Sequence, residues 1–279
     1  MEITHFRKVV EKYKIVFFDA YGVLKNSQGL IEGIDRTFEF LNQKGIDYYI
    51  LTNDASRGPK ELSGYYTGRG LTSITPDKII SSGMLAREYL RLKVNTGTVA
   101  YMGTQGSNHY LRELGLHTIS MSELDINNID RVNAVVFMDD EGFDWNHDIN
   151  KALNLLRKRN IPVIVANTDK SYPVDTEEVA IAVGGIANML EDVLGKKFIK
   201  FGKPDAQMFI FAYEHTNTSV DRNEILMVGD TLFTDILGGN KFGIDTALVL
   251  TGNTFHENAN DRIKVTGIIP DYICRSAVV

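Results

Sequence analysis

The residues best suited to chemistry in this chain are Asp19, Thr52, Asn53, Lys203, Asp230 and Asp235. Each stands at or just past the end of a largely apolar run. Ile15 to Phe18 precedes Asp19, Tyr48 to Leu51 precedes Thr52, Phe198 to Phe201 precedes Lys203, and Ile225 to Val228 precedes Gly229-Asp230. Such runs read as strands buried on both faces of a parallel sheet, and open α/β sheets bind ligands beyond the carboxyl ends of their strands. Taken singly, each residue has an ordinary explanation. Asp19 and Asp230 could cap turns, Thr52 and Asn53 could form an N-cap pair, and Lys203 could be a solvated loop lysine. Four such ends in one sheet are hard to explain as capping. Together they make chemical sense. Clustered carboxylates call for a cation, and hard oxygen ligands suit Mg²⁺. A threonine hydroxyl, an asparagine amide, main-chain N–H groups and a lysine suit a phosphate. An aspartate can then serve as nucleophile through an aspartyl-phosphate, with catalysis resting on charge neutralisation and positioning.

The elements that must position these groups follow from hydrophobic periodicity. Helices are expected at about 5–12, 33–44, 59–70, 83–92, 105–114, 148–159, 186–194, 205–215 and 233–241. Strands are expected at about 15–18, 47–51, 77–82, 98–102, 134–138, 162–166, 179–183, 198–201, 225–228, 246–250 and 271–274. Strand, helix and parallel strand within about 40 residues form the right-handed crossover unit. The alternation predicts an α/β protein with a Rossmann-like, doubly wound parallel sheet carrying helices on both faces.

Composition narrows the classes. With 279 residues the chain can hold a large core and two domains. A net charge of −6 argues against nonspecific nucleic-acid binding, which needs a basic surface. A single cysteine, Cys274, excludes an internal disulfide framework and a cysteine metal site, and fits a cytoplasmic location. The charged amino-terminal stretch is no signal peptide, and no apolar run is long enough to span a membrane. His109, His117 and His147 show no metal-ligand spacing. Tyr65 and Tyr66 read as helix packing, and Trp145 could face either core or insertion.

The phrases Asp19-Ala20-Tyr21-Gly22-Val23, Leu51-Thr52-Asn53, Gly202-Lys203-Pro204 and Gly229-Asp230 through Thr234-Asp235 resemble, in order, the four motifs of the haloacid dehalogenase-like (HAD) hydrolases. The first gap, 52 − 19 = 33 residues, is too short for a large insertion. The second, 203 − 52 = 151 residues, can hold an α/β domain. That resembles class IIA, with a core of 1–83 and 186–279 and a cap of 84–185. TNDASR, ANTDKSYP, Gly184-Gly185 and IKFGKPD are similar to the nitrophenylphosphatase/NagD-like branch, mostly Mg²⁺-dependent phosphatases of small phosphometabolites such as sugar phosphates. The resemblance implies Asp19 as nucleophile and metal ligand, the Tyr21 carbonyl and Asp230 as further ligands, and Asp235 supporting the metal or Lys203. Thr52, Asn53 and Lys203 would hold the transferring phosphoryl group, and Gly22 would leave it room. In the cap, 139–147 and 167–175 are candidates to touch the rest of the substrate. A cap sheet edge could pair two copies as a homodimer.

One position departs from the pattern. Phosphatases of this kind usually carry a second aspartate two residues after the nucleophile, as general acid and base, and here that place is Tyr21. A phenol ordinarily titrates near 10, and losing such assistance costs about 10²–10⁴ in rate. The Asp-x-Tyr-Gly signature also resembles the haloacid dehalogenases, whose leaving group needs no proton. Two alternatives therefore stand beside the phosphatase: another HAD hydrolase of dehalogenase type, and a slow-turnover protein that binds a phosphorylated ligand. The first is disfavoured by the metal constellation and the position of the insertion.

Overall fold

A computed structural model describes residues 2–94, 96–174 and 178–279. In chain order its strands are β1 (Ile15–Phe18), β2 (Lys25–Asn26), β3 (Gly29–Leu30), β4 (Asp47–Thr52), β5 (Ile79–Ser81), β6 (Thr98–Met102), β7 (His117–Ser120), β8 (Val132–Phe137), β9 (Val163–Val165), β10 (Ser171–Pro173), β11 (Val179–Ile181), β12 (Ile199–Lys200), β13 (Ile225–Gly229), β14 (Asp245–Val249) and β15 (Tyr272–Cys274). Most lie in two parallel sheets, as expected for an α/β chain. The six-stranded sheet runs β15-β14-β13-β1-β4-β5 and the five-stranded sheet β12-β9-β8-β6-β7.

The chain divides into two compact units. The first comprises residues 2–52, 59–80 and 203–279 and holds the six-stranded sheet up to Ile80. Its central strand β1 is buried at every position because it pairs with β13 on one side and β4 on the other, both parallel. Side chains on both faces therefore meet protein, which explains the unbroken apolar run IVFF. The helix Ile34–Lys44 buries Ile34, Phe38 and Leu41, spaced as one helical stripe, and Gly45 ends it. Phe38 is fully buried, 5.5 Å from the Phe18 ring and 4.8 Å from the Tyr48 ring. Cys274 is buried at the sheet edge, where burial pushes its thiol up to about 12.

The second unit comprises residues 53–58 and 81–202. Its core joins β6, β8 and β9 to the helices His147–Lys158 and Val183–Leu194, through residues such as Phe137, Leu155, Ile186 and Leu190. This unit reaches beyond the expected limit at Gly185. Val183, Ile186, Leu190 and Phe198 belong to its apolar cluster, and β12 pairs with β9.

The structure differs from expectation at several elements. Lys203 was expected after a strand of the same sheet as Asp19, but β12 belongs to the five-stranded sheet. The strand expected at 179–183 is the second half of an antiparallel hairpin, β10–β11. Strand β7 and the helix Ala259–Thr266 were not anticipated. Both are largely polar or exposed, so neither carries an apolar run. The helix expected at 105–114 is confined to His109–Arg112.

The packing of Phe38 generates a stability prediction. Phe38→Ala should lower the unfolding free energy by about 3–5 kcal/mol, read from urea denaturation. A loss below about 1 kcal/mol would show that this contact does not hold the helix to the sheet.

Candidate active site

The first unit assembles most of the candidate residues at one edge of its sheet. Parallel register sets Phe18 level with Ile50 and Val228. One residue further, Asp19 leaves β1, with its N–H donating to the Val228 carbonyl at 2.9 Å. Thr52 ends β4 and Asp230 follows β13. The main chain then turns at Tyr21-Gly22, with Gly22 N–H donating to the Lys25 carbonyl and Tyr21 in a bridge to Lys25. Gly22 sits at φ +78°, where a side chain is strained, and a Cβ there would lie 2.2 Å from Asp230 Oδ2. The space beside Gly22 is thus filled by Asp230 and by Gly252, whose Cα would lie 2.9 Å from that Cβ.

Asp235 reaches the same edge through a wide helical turn. Residues Leu232–Ile236 form a π-type turn, a form often found at functional sites. Asp235 packs against Gly229, where a Cβ would lie 2.1 Å from its own Cβ. Lys203 is 2% exposed and its ammonium lies 2.7 Å from Asp19 Oδ1 and 2.7 Å from Asp235 Oδ1. Burial alone would lower its pKa, but Asp19 and Asp235 more than offset this and hold it above the ordinary lysine range. Asp19 Oδ1 also accepts the Ala20 N–H at 2.7 Å, whereas Oδ2 accepts no hydrogen bond from a described residue.

The three carboxylates of Asp19, Asp230 and Asp235 bring oxygens within 4.8 Å of one another. Burial, then the Asp19 charge, pushes Asp230 up to about 7, against the opposing pull of the Asn253 N–H, the Thr231 hydroxyl and Lys203. Burial raises Asp235 as well, despite Lys203 beside it. Three acids against one ammonium leave a formal charge of 1 − 3 = −2 when all are ionised. Hard oxygen donors in a buried, charge-deficient cluster fit a divalent cation such as Mg²⁺.

Several contributors escaped sequence reasoning. Thr231 donates its hydroxyl to Asp230 Oδ1 at 2.9 Å and its N–H to Asp235 Oδ2 at 3.1 Å. The loop after β14 closes over Asp230: Asn253 N–H donates to Asp230 Oδ2, and the Thr251 hydroxyl donates to the Gly22 carbonyl. Gly252 allows this approach, since a Cβ there would lie 1.9 Å from Asp230 Oδ2. The only available signal was a glycine just past a strand end.

Asn53 opens the short segment 53–58 of the second unit. Its amide Nδ2 donates to Asp169 Oδ1 at 2.8 Å and to Thr168 Oγ1 at 3.3 Å. Two residues of the expected 167–175 stretch thereby engage a motif residue. Asp175 lies outside the described residues. In the 139–147 stretch, Asp140 accepts the Tyr172 hydroxyl at 2.9 Å, and Trp145 is exposed, stacked with Phe143. Burial, then Asp140, Asp54 and Glu141, pushes Asp139 up to about 6.

Profiles of known families cover most of the first unit's sequence. Residues 16–117 match the family described as haloacid dehalogenase-like hydrolase and residues 200–277 the one described as HAD-hydrolase-like. Chronophin of Bos taurus is 30% identical over 97% of this chain and 93% of its own length. Phosphoglycolate phosphatase 2 of Arabidopsis thaliana is 30% identical over 96% and 92%. A solved structure from Cytophaga hutchinsonii, described as a possible sugar phosphatase of the HAD superfamily, is 58% identical, covers 100% of this chain and 99% of its own, and superposes with a TM-score of 0.96. The chain belongs to the haloacid dehalogenase-like hydrolases. Within them it is a hydrolase of the phosphatase type.

Asp139 generates a pH prediction. Its folded pKa lies above its unfolded one, so the folded chain holds an extra proton between about pH 4 and 6. Its contribution to stability is fully present below about pH 4 and is lost as pH rises through 6. Asp139→Asn should therefore flatten the fall in melting temperature across that window and raise stability at pH 7 by roughly 1 kcal/mol, part of the shift being screened by solvent. An unchanged pH slope in the variant would sink this assignment.

Proposed function

We propose that the chain is a Mg²⁺-dependent phosphomonoesterase of a small phosphometabolite, with sugar phosphates the favoured class, working through an aspartyl-phosphate on Asp19. The observation that carries this reading is the state of the Asp19 carboxylate. One oxygen is held by Lys203 and the Ala20 N–H, and the other accepts no hydrogen bond from a described residue. A carboxylate fixed by one oxygen presents the other as a nucleophile.

In this mechanism Asp19 Oδ2 attacks phosphorus, and the bond from phosphorus to the ester oxygen breaks, its electron pair leaving with that oxygen. Thr52 and Lys203 hold the phosphoryl oxygens, and Asn53 contributes at the turn that follows. Asp235 keeps Lys203 in place from its other side. Asp19, Asp230 and the Tyr21 carbonyl would hold Mg²⁺, with Asp235 in support, and the ion would neutralise charge on the phosphoryl group. Water then cleaves the acyl phosphate and restores Asp19. The inserted second unit would act as the cap and choose the organic part of the substrate. The sugar-phosphate preference draws support from the description of the Cytophaga hutchinsonii protein.

Two predictions test this. The wild-type chain should release nitrophenolate from p-nitrophenyl phosphate only with Mg²⁺, and Asp19→Asn should lower that rate at least about 10³-fold. Undiminished hydrolysis by the variant would overturn the role of Asp19. Because Tyr21 stands where an acid would assist, leaving groups needing little protonation, aryl and anomeric sugar phosphates, should outpace simple alkyl phosphates. Tyr21→Asp should then raise alkyl phosphate turnover by about tenfold or more. Equal wild-type rates on both classes would count against this.

A further inference from the structure

Asn53 sits directly after Thr52, yet its side chain is committed elsewhere. Nδ2 donates to Asp169 Oδ1 at 2.8 Å and to Thr168 Oγ1 at 3.3 Å. The carbonyl of Asn53 accepts the hydroxyl of buried Ser82 at 2.9 Å. Gly202 closes the other side of the amide, since a Cβ there would lie 2.6 Å from Asn53 Oδ1. Asn53 itself is 3% exposed. An amide nitrogen carries two N–H donors, and this one lies within hydrogen-bond reach of two acceptors in the 168–169 loop.

That loop is itself built to hold still. The Asp169 N–H donates to Asn167 Oδ1 at 2.9 Å. The start of the helix Val183–Leu194 presses on it from behind. At Gly184 a Cβ would lie 2.6 Å from the carbonyl oxygens of both Thr168 and Asp169, and at Gly185 2.6 Å from that of Lys170. The glycine pair therefore lets helix and loop approach as closely as main chains allow. Ala182 N–H donates to the Lys170 carbonyl at 3.0 Å and fixes the junction.

We infer that Asp169 is a positioning residue for phosphoryl transfer: it locks the Asn53 amide, so that Asn53 serves the phosphoryl group through its main chain rather than its side chain. This rests on the phosphatase reading above. Asp169 touches no reacting atom in this assignment. It acts by fixing the conformation of the turn that carries on from Thr52, and a charged acceptor does this better than a neutral one. The ANTD and Gly184-Gly185 phrases then have one shared purpose, which is to place a carboxylate against Asn53.

The test is a set of variants read by KM, kcat and inhibition by inorganic phosphate, with circular dichroism melts confirming that each is folded. Asp169→Asn should raise KM and weaken phosphate inhibition by roughly five- to tenfold, with kcat less affected. Asn53→Asp, which sets two carboxylates face to face, should do worse. Combining Asn53→Asp with Asp169→Asn rebuilds an amide–carboxylate pair in reverse and should recover phosphate affinity to within about threefold of wild type. Gly184→Ala, which displaces the loop without altering a carboxylate, should weaken phosphate in the same direction. Phosphate inhibition unchanged in Asp169→Asn would overturn the proposal. So would a double variant no better than Asn53→Asp alone, since the Asn53 amide itself would then meet the phosphate. The phosphatase reading fails separately: a wild-type chain that binds phosphate by calorimetry but hydrolyses no phosphate ester refutes it, while the same binding series still decides the role of Asp169.

Discussion

The ammonium of Lys203, shut away from solvent between Asp19 and Asp235, is the interaction on which the rest of the site depends. Without that ammonium, the negative charges of Asp19 and Asp235 would face each other uncompensated. Lys203 holds Asp19 by Oδ1 and so fixes which of its oxygens is left for the reaction. Asp235 pins Lys203 in turn, and Thr231 and the wide turn at 232–236 pin Asp235. This arrangement costs stability, because burial works against the charges of Lys203, Asp230 and Asp235.

The glycines around the cluster follow from the same demand. Gly22, Gly229 and Gly252 each stand where a Cβ would collide with Asp230 or Asp235. The main chain thus comes close enough to supply N–H donors to carboxylates that the sequence alone shows only as acids near a strand end. One of the two donors that hold Asp230 is the main-chain N–H of Asn253, and backbone carries no residue signature.

That is also the boundary of what could be read beforehand. Asp19, Thr52 and Asp230 were legible because a strand covered on both faces must be apolar throughout, so the first polar residue after it marks the sheet edge. Lys203 was legible as a chemical group but not in its setting. Its preceding strand is two residues long, and nothing in FIKF tells which sheet it joins. Strand β7 and the hairpin β10–β11 face solvent on much of their surface, and their polar residues hide the pattern. Thr251 to Asn253 stayed hidden because a loop's donors depend on where the chain happens to pass. Asp169 was visible as a polar residue past a strand, but its partner Asn53 lies 169 − 53 = 116 positions away, and no local pattern links them.

The pairing of β1 has a consequence for how the chain is made. Its two neighbours differ greatly in distance along the sequence: Ile15 is level with Asp47 on one side and with Ile225 on the other, a separation of 225 − 15 = 210 residues. During synthesis the strand that ends at the nucleophile therefore emerges early and keeps one bare edge until β13, Ile225–Gly229, has left the ribosome. The strands of the five-stranded sheet all lie between Thr98 and Lys200 and can find each other before that. The unit synthesised in the middle is thus free to finish first, and the edge that carries Asp19 is completed only after it.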